Sequence, residues 1–187
     1  GYYQSYEKNY WNFDGRYRIG FNIANIGPKV SYVPGEEDFI PANLKFGGGF
    51  DFILDAYNTL SINTEFTKLL VPSPQEDGSD QEKGFISGIF SSFGDAEGGF
   101  SEELEEVTYA LGAEYLYNDA FALRLGYFHE SENKGNRKFF TMGAGFKTNA
   151  LNVDLSYLIN SSDVNNPLEN SLRFSLSFDL GEIYYDY

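Results

Sequence analysis

The only histidine, His129, stands in "YFHESENK" beside Glu130 and Ser131. A nucleophilic site needs a base within reach of a hydroxyl or thiol. Consecutive residues point in different directions, however, and such triads are assembled from distant segments. His129 is therefore expected as a solvated loop residue, and no catalytic residue is assigned. There is no cysteine to act as nucleophile or ligand. The acidic runs "GEED" and "EDGSD" lack the full EF-hand spacing and its terminal Glu. "GGGF" at 47–50 opens no helix, so it is no phosphate loop, and its glycines suit a strand that bends or packs closely. Neither a metal centre nor a cofactor is expected. What remains is a set of charges at alternating positions: Arg16, Arg18, Lys45, Arg124, Lys147 and Arg173, with Asp51, Glu65, Glu114, Asp154 and Asp179.

These charges lie in eight segments that alternate with a period of two, the signature of β-strands. The segments are 16–24, 44–54, 60–67, 108–117, 121–127, 139–147, 151–159 and 170–180. In the last, "NSLRFSLSFDL", Leu172, Phe174, Leu176, Phe178 and Leu180 share one face and Arg173, Ser175, Ser177 and Asp179 the other. Buried in a dry core, the eleven charges would each cost several kcal/mol. Lining a wet lumen, with Phe, Leu and Tyr turned to lipid, they would not. The pattern predicts an all-β fold, a transmembrane antiparallel β-barrel. No stretch is long and apolar enough for a membrane helix.

Connections strengthen this. Those at 55–58, 118–119 and 148–150 are short, whereas 25–43, 71–106, 129–136 and 160–169 are long, as in outer-membrane barrels with short periplasmic turns and long external loops. The composition, with 18 Phe, 15 Tyr and 20 Gly, suits strands and tight turns. A net charge of −15 argues against nucleic acid as a partner. The start at "GYYQSY" reads as a mature or truncated product, and "GYYQSYEKNYWNFDGRY" as the end of a preceding strand and its turn. Strands 16–24 and 170–180 are accordingly not expected to pair with each other.

The loop insertion 71–106 begins with a Pro- and acid-rich stretch that reads as mobile. Phe85, Ile86, Ile89, Phe90 and Phe93 then recur at helical spacing, predicting a short amphipathic helix. "SEELEE" predicts one acidic turn capped by Ser101. The Phe/Ile stripe either folds down to plug the barrel or receives a partner.

Several stretches, "ANIGPKVSY" (24–32), "DFIPANLKFGGGFDFILDAYNTLSINTEFTKLLVP" (38–72), "GAEYLYNDAFALRLGYFHESENKGNRKFFTMGAGFK" (112–147), "LNVDLSYLI" (151–159) and "NPLENSLRFSLSF" (166–178), together resemble the PorV (LptO) family. This is the outer-membrane barrel family of the type IX secretion system of Bacteroidota, with a FadL-like fold. Its members are longer, with about fourteen strands, so the chain corresponds to a C-terminal portion of one barrel domain. The resemblance implies a multi-pass outer-membrane shuttle with extracellular loops and no enzymatic activity of its own. Its partners would be the C-terminal signal domains of cargo proteins, the translocon barrel, a sortase-like attachment complex and outer-membrane lipid. Binding is expected on the loops, at Phe85, Ile86, Ile89, Phe90 and Phe93 in one and Asp163, Asn166 and Pro167 in the other. The alternatives are a FadL-like transporter of hydrophobic solutes, favoured by an apolar luminal pocket beside Gly47–Gly49, and a lipid A deacylase.

Overall fold

In the computed structural model, residues 1–179 other than 34, 36, 76 and 165–167 are described. Leu180, Asn166 and Pro167 therefore lie outside the described residues. Among those described, ten strands form one antiparallel sheet that is not closed. The eight expected strands are β3 (Phe13–Ala24), β4 (Asn43–Ile53), β5 (Asn58–Leu69), β6 (Val107–Tyr117), β7 (Phe121–His129), β8 (Lys138–Lys147), β9 (Leu151–Asn160) and β10 (Leu172–Phe178). Each pairs with the next in chain order, a meander in which every hydrogen-bonded neighbour is also a sequence neighbour.

Two short strands precede them. β1 (Tyr2–Gln4) and β2 (Lys8–Tyr10) both pair with β3. Gln4 stands opposite Arg18 and Lys8 opposite Gly15, so three residues, 5–7, face two, 16–17. This is a β-bulge. Ser5 fills it: its N–H donates to the Tyr17 carbonyl (2.9 Å) and its Oγ accepts from the Tyr17 N–H (3.0 Å). The opening segment is thus one bulged strand and its turn, as its aromatics suggested.

The short connections are tight for local reasons. Asn118 and Asp119 both hold positive φ, 53° each, as a type I′ hairpin turn requires. Asp55 accepts the backbone N–H groups of Tyr57 and Asn58 (2.8 and 2.9 Å), closing the β4–β5 turn.

Register carries the two faces unbroken across the sheet. One row reads Tyr17, Phe50, Ile62, Ala113, Leu125, Met142, Tyr157 and Leu172. Displaced by one residue, the other face reads Arg16, Asp51, Ser61, Glu114, Arg124, Gly143, Ser156 and Arg173. The apolar face is bare: Leu125 is 65% exposed, Phe46 54% and Phe174 67%. Among the described residues, the buried hydrophobic ones are Ala42, Leu70, Ala96, Ala122 and Leu158, while Asp51 is 1% exposed. This is the reverse of a water-soluble domain of this size, which hides most of its apolar surface.

Candidate functional site

The polar face is held together by shared ions. Asp51 on β4 accepts from Arg16 Nε (2.6 Å), Arg18 Nη2 (2.5 Å) and Ser61 Oγ (2.7 Å), gathering three strands around one carboxylate. Arg124 on β7 bridges Glu114 on β6 and, across β8, Asp154 on β9, at 2.5 Å each. Gly143 and Gly145 of β8 leave the room for that reach, Gly145 facing Arg124 and Asp154 directly. Lys45 pairs with Glu65 at 2.8 Å. Eight of the eleven charges read from the alternation are thereby joined into three groups.

Above this lattice on the same face lies a chamber of about 730 Å³. Gly20, Gly47, Gly49, Gly112 and Gly126 contribute to its lining, as do Phe128 and Phe139. Those two rings stack at 4.8 Å. Both belong to the polar face, opposite Ala110 and Asn160 respectively. Period-two reading of 121–127 stopped one residue short of Phe128.

His129 is not a loop residue. It ends β7 on the apolar face, half-buried, its ring stacked on Tyr109 (4.6 Å) and its Nδ1 3.3 Å from the Tyr127 hydroxyl. Neighbouring Glu130 turns to the other side, where Arg137 holds it by two bonds of 2.7 Å. The two residues do not meet as an acid–base pair.

The 71–106 insertion folds into three short helices, α1 (Ser79–Glu82), α2 (Phe85–Ser91) and α3 (Phe100–Glu105). Three contacts cross the described part of the Pro- and acid-rich stretch. Asp80 accepts the Gln75 N–H (3.1 Å), Asp95 accepts the Ser73 N–H (3.3 Å), and Lys83 reaches Asp95 at 3.2 Å. The α3 cap is also different from expectation: Ser101 lies inside the helix, and Gly99, with φ 70°, is the N-cap. A left-handed conformation there suits glycine.

Beneath these helices, Lys68 donates to Glu103 (2.9 Å) and Glu106 (2.8 Å), with all three side chains at most 14% exposed. Lys134 from the β7–β8 connection joins Glu102 (2.6 Å) and Glu106 (3.1 Å). Burial drives the Glu106 pKa upward, yet hydrogen bonds from Lys68, Ser73 and Lys134 outweigh it and hold the carboxyl below its ordinary value. The Lys134 ammonium, followed by the Gly98 N–H, likewise lowers Glu102.

The apolar stripe divides on this base. Phe85 and Ile89 are half-buried, and Gly88 sits directly on Phe39 and Pro72, where a β-carbon would come within 2.8 Å of the Phe39 ring. Ile86, Phe90 and Phe93 stay exposed, at 57, 75 and 53%. Phe100 and Leu104 of α3, which the helical spacing of 85–93 did not include, add to the exposed apolar surface. Asp163 is exposed in the β9–β10 connection. Among the described residues, no hydrogen bond or ion pair joins Asp163 to this helical cap.

A family model described as PorV, type IX secretion system protein PorV, matches residues 1–76. Over residues 1–76, then, the chain is similar to the PorV family. The match spans β1–β5, including Arg16, Arg18 and Asp51, and stops before α1. The matched PorV family is a component of the type IX secretion system. No curated protein matches the chain.

Proposed function

We propose that the chain forms part of the wall and external cap of an outer-membrane shuttle of the type IX secretion system. In this reading the apolar face meets lipid, the polar face lines the lumen, and the 71–106 cap is extracellular. The wall would be a C-terminal portion of one larger barrel domain, and the molecule would act by binding rather than by catalysis. The cap would receive the C-terminal signal domain of cargo at the translocon and release it to a sortase-like attachment complex.

The observation that carries the docking role is the exposed surface of Ile86, Phe90, Phe93, Phe100 and Leu104 on a base of buried ion pairs. Large apolar groups held rigidly in water mark binding surfaces, because a partner removes them from solvent at little ordering cost. The test is binding of a purified cargo signal domain to the full-length protein carrying Phe90→Ser and Phe93→Ser. At least a tenfold loss of affinity is expected, and unchanged binding would remove the cap from the account. Asp163, Asn166 and Pro167 remain a second proposed contact, to be probed by the same assay.

A FadL-like transporter of hydrophobic solutes is the second reading, favoured by the chamber beside Gly47–Gly49. Arg18, Lys45 and Glu65 on its lining weigh against a purely apolar passage. Lipid A deacylation finds less support: His129 lies on the apolar face, stacked on Tyr109 and beside the Tyr127 hydroxyl, while neighbouring Glu130 is held by Arg137.

A further inference from the structure

Lysines on the apolar face stand only at its ends. Lys68 on β5, opposite Leu44, and Lys138 on β8, opposite His129, lie at the cap end. Both are neutralised within the protein, Lys68 by Glu103 and Glu106, Lys138 by Glu132 at 2.7 Å. A third, Lys8 on β2, lies at the other end. It stands opposite Gly15, which shares the face of Phe52 and Tyr17, so it belongs to the apolar side. Among the described residues, no hydrogen bond or ion pair joins Lys8 to a partner, neighbouring Glu7 included. Nor can a strand supply one on that side: Asp14, Asp51, Glu65, Glu114 and Asp154 all fall on the polar face.

The surroundings of Lys8 are aromatic. The Tyr10 ring, on the same strand and face, lies 5.8 Å from Phe13 and 5.4 Å from Phe50, and Phe50 lies 4.7 Å from Phe52. The Phe50 ring also covers Gly15, where a β-carbon would come within 2.6 Å of it. At the hairpin turn follows Trp11, 99% exposed and holding a φ of 61°. A bulky residue in the left-handed region is strained, and nothing in the protein covers this indole to offset that cost. Phenol and indole rings settle where hydrocarbon meets headgroups, because one end of each is apolar and the other wet. A lysine stem can lie along apolar groups while its ammonium reaches the same level. The anion found at that level is a lipid phosphate.

We propose that Lys8 and this aromatic rim bind a glycerophospholipid of the periplasmic leaflet, with the ammonium on its phosphodiester and the acyl chains against Tyr10 and Phe50. The proposal rests on the reading that the apolar face meets lipid and the cap is extracellular. It is tested by native mass spectrometry of the full-length protein released from detergent containing dioleoylphosphatidylglycerol, dioleoylglycerol or inorganic phosphate. Phosphatidylglycerol should be retained at least about fivefold better than dioleoylglycerol, as one lysine near a headgroup warrants. Lys8→Gln should retain one phosphatidylglycerol fewer, and Lys8→Arg should restore it. Because Lys8 has no partner within the protein, Lys8→Gln should keep the folded gel mobility of the parent. Equal phosphatidylglycerol retention by Lys8→Gln and the parent, equal retention of the two lipids, or inorganic phosphate held without lipid would each overturn the proposal. If spin labels at Phe174 report lipid while this test fails, the site alone falls. If those labels report water, the reading beneath it falls as well.

Discussion

Asp51 shows how single residues carry this wall. It is nearly inaccessible yet serves two guanidinium groups and a hydroxyl, so its removal strands two cations rather than one contact. Ion pairs elsewhere divide by burial. Lys68→Ala would leave Glu103 buried without its cation, and the cap should lose on the order of 3 kcal/mol, read as earlier proteolysis within 71–106. Glu132→Ala, whose side chain is 73% exposed, should leave the same proteolysis unchanged. Acid should loosen the cap as well. The Glu106 pKa is depressed in the fold, so its contribution is present above the ordinary carboxylate pKa of about 4.3 and is lost as pH falls through the lower folded value. Amide exchange in α3 should stay slow from neutral pH to about 4 and rise below it. Lys68 lies one residue past the alternating segment 60–67, and its partners lie 35 and 38 residues away. Spacing alone cannot find such pairs.

At the scale of elements, the strands were legible because period-two alternation survives in every one of them. Their ends were less so. β3 and β5 run further than the alternation indicated, and β7 continues through Phe128 and His129, because pairing extends past the last clean apolar–polar step. The cap was read only in part. Helical spacing placed α2, whereas Asp80, Asp95 and Lys83 bond across the described part of the loop before it, as spacing does not show. Gly47 tests the strand packing. A β-carbon there would come within 2.9 Å of the Thr64 carbonyl, a backbone atom that cannot move alone. Gly47→Val should therefore reduce insertion of folded protein, measured by heat-modifiable gel mobility, while Gly112→Val should not. Spin labels at Phe174 and Leu176 should report lipid, and those at Arg173 and Ser175 a polar medium. Equal accessibility of the two sets would reverse the proposed faces.

For the whole molecule, the open sheet sets the constraint. β1 and β10 are its two edges among the described residues, and unpaired backbone groups in hydrocarbon cost several kcal/mol each. β3 cannot close on β10, since Tyr2 and Gly47 already occupy both sides of Gly20. If further strands complete the barrel, cysteines at Gln4 and Ser175 should remain unlinked in the inserted full-length protein. Efficient cross-linking would mean that these strands close alone. Above the wall, the cap projects apolar groups that neither the strands nor the ion pairs require, and the proposed cargo docking would give them a role. A photoreactive residue at Phe90, in cells with a working type IX system, measures that role most directly. Adducts with cargo signal domains are expected on illumination, reduced by Phe93→Ser. Illumination that yields lipid adducts alone, with cargo export proceeding normally, would contradict it.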